Sequence, residues 1–279
     1  MKRGQGLNEA MTVGICGFGI VGSGLAELTA RKGLATIVLA KSDEHLARGF
    51  ESIRRSVERS NERDPSSTVD VDEVLGRIRG TTDIADVSEC DIIIEAITED
   101  IDAKIGLFTE LNEACDPGTV FSSTTSSLSI NKMATGSGRP ERFVGIHFFN
   151  PVTRMELVEI TPADETDSTA VTVASELCGA LGKIQVVVKD NAGFLVNRLL
   201  FPYLLDAVRL LEAGTASREE IDAAMMLGCN MPIGPLKLID LIGVETTVQI
   251  SRNLYAAYGD AKFDPPDLLI SMMKQNAAE

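Results

Sequence analysis

The chain has 279 residues, 44% of them hydrophobic, which is enough material for two domains with separate cores. Its 26 Lys and Arg stand against 41 Asp and Glu, a formal charge of -15 whose field repels polyanions; a general nucleic-acid surface is excluded, and any anionic ligand must be held by a local pocket. No stretch offers the roughly 18 uninterrupted apolar residues of a membrane span, and the opening MKRGQGLNEA lacks the apolar region of a secretory signal, so a soluble cytoplasmic protein without a membrane partner is expected.

In chain order, MTVGICGFGIVGSGLAELTARKG predicts a short apolar strand, a glycine-rich turn and a helix ending at Gly33, and ATIVLA predicts a second strand. The two strands must run parallel, because a helix carries the chain back between them. Over about 43–62, Leu46, Phe50, Ile53 and Val57 recur at spacings of three and four, the mark of an amphipathic helix. Its other face carries Arg48, Arg54, Arg55, Arg59 and Arg63. RDPSST breaks that helix and VDEVLGRI reads as a second, antiparallel one, so a helical arm over about 43–79 is expected on the sheet domain. Strand patterns return in CDIIIEAI, TVFSST, RFVGIHFF, MELVEI and KIQVVV, with helices in DAKIGLFTELNEAC and in TDSTAVTVASELCGALG, the latter closed by Gly182.

After Lys189 only helices are predicted. GFLVNRLLFPYLLDAVRLLEAG is interrupted by Pro202, where a kink is expected. SREEIDAAMMLG opens with a Ser217-x-x-Glu220 capping box, and one further helix covers about 235–259. The fold class is therefore α/β, a Rossmann-type doubly wound sheet domain over 1–189 followed by a smaller all-helical domain over 190–279, with a disordered start. The cysteines, Cys16, Cys90, Cys115, Cys178 and Cys229, are odd in number and never form a CxxC pair, so reduced, mostly buried thiols and no metal site are expected.

The pattern Gly17-x-Gly19-Ile20-Val21-Gly22 follows a strand and opens a helix, the context a dinucleotide loop needs. The first glycine permits the turn, the second lets backbone approach a diphosphate, and the third lets helix and strand pack closely. The helix N-terminus then offers N–H groups and a positive dipole end to the phosphates. The second strand of such a unit normally ends in an acid that binds the ribose hydroxyls of NAD, but IVLAKSDEH has Ala40 and Lys41 there. A cation beside Ser42 suits a 2′-phosphate, so NADP is favoured over NAD. Asp43 is near enough to reverse that reading if the strand ends later.

RFVGIHFFNP holds one of only two histidines. Removing hydride from a secondary alcohol requires a proton to leave with it, and an imidazole suits that transfer at cellular pH. His45 lies in the exposed-looking KSDEHLARG, which leaves His147 for the task. Glu159, inside the apolar MELVEI, is a charge that is costly to bury alone, and a pairing with His147 across neighbouring strands answers both problems.

These strings also resemble, over about 12–269, the 3-hydroxyacyl-CoA dehydrogenase family in its bacterial 3-hydroxybutyryl-CoA dehydrogenase form. GFGIVGSGLA, IIIEAITEDIDAKIGLF, TTSSLSI, RPERFVGIHFFNPV, MELVEI, KDNAGFLVNRLLFPYL and IDAAMMLGCNMPIGPLKLIDLIG carry the likeness in fixed order. The resemblance implies that His147 is the general acid or base, Glu159 its carboxylate partner, and Ser126 and Asn197 the groups that hydrogen-bond the reacting substrate oxygen. It implies that Glu99 and Lys104 line the cofactor pocket with Asn150 beside the nicotinamide. It implies further that the arm with Arg54, Arg55 and Arg59 folds over the CoA nucleotide, and that the helical domain supplies the substrate pocket and a homodimer contact.

Three departures stand out. Thr124 replaces the Asn of the usual TNTSS string, no Gly-rich KTGxGF stretch follows MMKQNAAE, and the acid after the second strand is missing. An acyl carrier protein thioester in a biosynthetic pathway is therefore an alternative to acyl-CoA. A dehydrogenase for a free hydroxy acid and a non-catalytic NAD(P)-binding sensor remain as competing readings.

Overall fold

A computed structural model describes residues 11–276, so the opening stretch expected to be disordered and the last three residues lie outside the described part. The chain forms two compact units, divided between Asp190 and Asn191.

The first unit is built on eight strands: β1 (Thr12–Cys16), β2 (Ala35–Leu39), β3 (Ile78–Thr81), β4 (Ile92–Glu95), β5 (Val120–Ser123), β6 (Phe143–Phe148), β7 (Leu157–Pro162) and β8 (Ile184–Val187). They lie in the order β3-β2-β1-β4-β5-β6-β7-β8. Every neighbouring pair is parallel except β6 and β7, which are antiparallel. The first six strands have the order of a doubly wound nucleotide-binding sheet. Its helices are α1 (Ile20–Arg31), α2 (Asp43–Arg63), α3 (Val71–Gly76), α4 (Ile101–Ala114), α5 (Ile130–Gly136) and α6 (Ser168–Ala180).

Strand register sorts the side chains into two faces, because residues paired across a ladder point the same way. One row runs Ile15, Ile94, Ser122, Val144, Pro162. Together with Ile92, Ile146, Val158 and Ile160 this face packs on Leu25 and Ala26 of α1 and on Ala170, Ala174 and Leu177 of α6. The alternate row runs Cys16, Glu95, Ser123, Gly145, Thr161, with His147 and Glu159 two residues further along the same side. Aromatic rings close its inner part: Phe108 of α4 stacks on Phe121 at 5.6 Å and meets Phe143 edge-on at 4.7 Å.

The structure departs from the sequence reading at several points, among them the short helix α5, which that reading does not predict. The second helix of the arm stops at Gly76, and Ile78 begins an edge strand paired with Thr36. The apolar side of the arm packs inward as its spacing predicts: Ile53 and Val57 of α2 and Val74 of α3 are buried in the same cluster as Leu25. The helix expected over 235–259 is broken by Gly243, whose φ of +96° a helix interior cannot hold, into α9 and α10 below.

The second unit contains α7 (Val196–Glu212), α8 (Arg218–Gly228), α9 (Pro235–Ile242), α10 (Val244–Tyr258) and α11 (Asp267–Asn276). Helix α7 runs through Pro202, and the Ser217–Glu220 capping box opens α8. Leu204, Leu205 and Val208 of α7 pack on Leu236, Ile239, Val248 and Leu269 to form its core. Among the described residues no helix is long and apolar enough to cross a membrane.

Candidate active site

The three loop glycines have three different surroundings. Gly17 turns the chain at φ +107°, and its N–H donates to the Leu39 carbonyl at 2.9 Å. A Cβ on Gly17 would stand 2.5 Å from the Ala96 carbonyl oxygen, and one on Gly22 would stand 2.0 Å from that of Gly17. At Gly19 a Cβ would meet nothing within 4 Å. Gly17 and Gly22 are therefore required by the protein itself, whereas Gly19 leaves open space over the N-terminus of α1. No side chain caps that terminus, Ile20 at its first position is 76% exposed, and Val21 turns inward against the apolar core. Uncapped helical N–H groups beside a gap fit a dinucleotide diphosphate.

Strand β2 ends at Leu39, and the buried Ala40 continues toward β3, with its N–H donating to the Thr81 carbonyl. Lys41 follows and is exposed. Ser42 caps α2 by accepting from the His45 N–H, and its hydroxyl lies 2.8 Å from His45 Nδ1. Asp43 belongs to the first turn of α2.

His147 and Glu159 are direct partners in the β6–β7 ladder, and His147 Nδ1 lies 2.7 Å from Glu159 Oε2. Both are buried, at 6% and 0% exposure. A carboxylate only accepts, so it selects the tautomer with the proton on Nδ1 and directs proton exchange to Nε2. The Phe149 ring packs 4.6 Å from the imidazole. Asn150, exposed, precedes Pro151 through a cis peptide bond. Beyond it Lys183 Nζ donates to the carbonyls of Val152 and Met155 at 2.7 and 2.6 Å, which pins the loop joining the two strands of the pair.

Ser126 is half-buried in the loop after β5. Glu99 organises that loop: its Oε1 accepts from the Thr125 hydroxyl, from the Ser126 N–H at 3.3 Å and from the Ser127 hydroxyl at 3.2 Å. Lys104, only 1% exposed, lies beneath Glu99, with Nζ 2.5 Å from Glu95 Oε1 and 3.4 Å from Glu99 Oε2. Glu95, Ser123 and Thr125, which the sequence reading did not single out, belong to the same cluster. A signal for Glu95 was present: a carboxylate in the apolar run IIIEAI raises the question already asked of Glu159.

Asn197 belongs to the helical unit, in the first turn of α7, and is 8% exposed. Two of the arginines singled out on α2 have different partners: Arg54 reaches Asp72 of α3 at 3.2 Å, whereas Arg55 pairs with Glu51 on its own helix at 2.7 Å. Arg48, Arg55 and Arg59 line one shallow surface groove with Glu44 and Glu51.

Comparison with known proteins agrees from residue 12 onward. Residues 12–191 match the family model of the 3-hydroxyacyl-CoA dehydrogenase NAD binding domain, and residues 193–279 match that of the 3-hydroxyacyl-CoA dehydrogenase C-terminal domain. A 3-hydroxybutyryl-CoA dehydrogenase of Mycobacterium tuberculosis is 38% identical over 264 residues, which cover 94% of this chain and 92% of the relative. A probable 3-hydroxybutyryl-CoA dehydrogenase of Deinococcus radiodurans is 38% identical over 95% of both chains. The crystal structure of (S)-3-hydroxybutyryl-CoA dehydrogenase from Ralstonia eutropha superposes with a TM-score of 0.90 at 38% identity, covering 95% of this chain and 94% of that one. With the glycine loop, the sheet order and both family models in agreement, the chain belongs to the 3-hydroxyacyl-CoA dehydrogenase family.

Proposed function

We propose that the chain interconverts (S)-3-hydroxybutyryl-CoA and acetoacetyl-CoA with a nicotinamide dinucleotide. The observation that carries this reading is the buried 2.7 Å contact between His147 and Glu159 on the polar face of a sheet whose glycine loop leaves open space at Gly19. Gly17, Gly19 and Gly22, with the α1 N–H groups of Ile20 and Val21, would hold the diphosphate. Bound there, the nicotinamide supplies the acceptor or donor of the hydride.

His147 takes the hydroxyl proton at Nε2 in the oxidising direction and returns it in the reducing one. The Glu159 carboxylate, hydrogen-bonded at Nδ1, stabilises the imidazolium that forms. Ser126 is assigned to the reacting oxygen because Glu99 fixes the backbone from which its hydroxyl projects. The assignment of Asn197 to the same oxygen, and of Asn150 to the nicotinamide, rests on the family resemblance. The groove of Arg48, Arg55 and Arg59 is assigned to the phosphates of CoA; Arg54, tied to Asp72, is the weaker candidate.

NADP is the favoured cofactor because the loop after β2 presents the exposed Lys41, where an acid would repel a 2′-phosphate. A homodimer is favoured by Leu199, Leu227 and Leu241, which the helical unit leaves 69%, 86% and 76% exposed. Free, mostly buried thiols accord with a cytoplasmic location.

The test is absorbance at 340 nm with acetoacetyl groups on CoA and on acyl carrier protein, with NADPH and with NADH. The reading expects turnover on the CoA thioester, faster with NADPH, and a reversed cofactor preference in Lys41→Asp. Turnover of free acetoacetate alone, or of no thioester at all, overturns it.

A further inference from the structure

Five side chains beneath the Ser126 loop close into a ring. Glu95 Oε2 accepts from the Ser123 hydroxyl at 2.6 Å, and the Ser123 oxygen in turn accepts from the Thr125 N–H at 3.2 Å. The Thr125 hydroxyl donates to Glu99 Oε1, Glu99 Oε2 faces Lys104 Nζ at 3.4 Å, and Lys104 returns to Glu95 Oε1 at 2.5 Å. The Ile97 N–H adds a further donor to Glu95 Oε1 at 2.7 Å. Glu95, Lys104 and Ser123 are at most 1% exposed, and Thr125 is 2% exposed.

We propose that Glu95 and Lys104 are a buried positioning pair that sets Glu99, and through it the Ser126 hydroxyl, for the substrate oxygen; this rests on the reading of Ser126 given above. Three features separate the pair from a simple fold stabiliser. A buried ion pair gains little over apolar residues of similar volume, so its presence calls for another reason. Its cation does not stop at Glu95 but also reaches Glu99, the member of the ring that is partly exposed, at 41%. Finally, the ring sits where β4 and β5 end, at the carboxyl ends of the strands, where doubly wound sheets bind their ligands. Glu95 thus holds the loop by two routes: through Ser123 to the Thr125 N–H, and through Lys104 and Glu99 to the Thr125 hydroxyl and the Ser126 N–H. Loss of either route frees the loop without removing any group that touches substrate.

The test is a cycle of variants of the full-length enzyme: Glu95→Gln with Lys104→Met, which neutralises the pair together, Ser126→Ala, and all three changes combined. The pair variant is expected to lower kcat on acetoacetyl-CoA on the order of tenfold to a hundredfold, the effect of a misplaced contact. KM for acetoacetyl-CoA should move less than about threefold, so that the loss falls on kcat. Adding Ser126→Ala to the pair variant should cost far less than Ser126→Ala does alone, because coupled groups are non-additive. Full additivity, or an unchanged kcat in a folded pair variant, overturns the proposal. If Ser126→Ala leaves kcat intact, the reading of Ser126 fails and the proposal with it, whatever the pair variant does. Should the pair variant not fold, Glu95→Asp, which keeps the charge but draws it back by one methylene, must show the same fall in kcat against KM, and an unaltered kcat there counts against the pair.

Discussion

The two faces of the sheet in the first unit are made of the same strands and do opposite work. On one face Ile15, Ile94, Val144, Ile146 and Ile160 meet α1 and α6, and the buried strand residues there are apolar apart from Ser122 and Thr36. On the other, Glu95, Ser123, His147, Glu159 and Thr161 are equally buried yet polar; the ring holds Glu95 and Ser123, and His147 and Glu159 hold each other. The difference teaches that burial alone does not divide core from site. Alternation along a strand puts an aliphatic anchor and a chemical group on adjacent residues, so the rigidity of one face is lent directly to the other.

The sharpest way to break this comparison is to change neighbours on β6 that point opposite ways. His147→Gln should lower kcat by about 10² to 10⁴ while costing only about 1 kcal/mol of stability, since the Gln amide can still donate to Glu159. Ile146→Ala should do the reverse: a loss of about 2 to 5 kcal/mol in denaturant unfolding, with the kcat of the folded fraction nearly intact. If both variants lose activity and stability together, the faces are not separable.

The glycine loop allows a finer contrast at the carboxyl end of β1. Gly22→Ala forces a Cβ to 2.0 Å from a backbone carbonyl and should lower both the melting temperature and dinucleotide affinity. Gly19→Ala meets nothing in the protein and should melt normally, yet weaken dinucleotide binding by about tenfold or more, roughly 1.4 kcal/mol. Unchanged binding in Gly19→Ala would place the diphosphate elsewhere.

The smallest effect checks that the polar face is dry. Burial pushes the thiols of Cys90 and Cys178 up to about 12 and raises Cys16 and Cys115, so at pH 8 these four stay neutral and shielded. Cys16 lies on the polar face, and Cys229, in the helical unit, is exposed. A disulfide reagent should therefore titrate one thiol rapidly in the native enzyme and five after unfolding; a second rapid thiol mapping to Cys16 would mean that water enters the polar face.

Much of this organisation is visible in the residues themselves. The glycine loop, seven of the eight strands and the opposition of His147 to Glu159 follow from apolar runs, glycine placement and one costly carboxylate. Strand β3 was missed because IRGT is short, carries Arg79, and follows a helix without a turn signal, so only pairing with β2 makes it a strand. The break at Gly243 was hidden because an isolated glycine in an apolar helix pattern is tolerated more often than it interrupts. Glu95 and Lys104 lie nine residues apart and Glu95 and Ser123 lie 28 apart, and no periodicity links them; their ring closes only in three dimensions.

The antiparallel pairing of β6 with β7 has one more consequence. His147 and Glu159 face each other because of the backbone ladder, not because flexible side chains search for one another. A slip of β7 by one residue would turn Glu159 into the aliphatic layer and bring a neighbouring residue opposite the imidazole. No intermediate register offers a weakened version of the pair, so each molecule is either fully assembled or inert. Partial damage to the fold should therefore show as fewer working copies, each turning over at the normal rate.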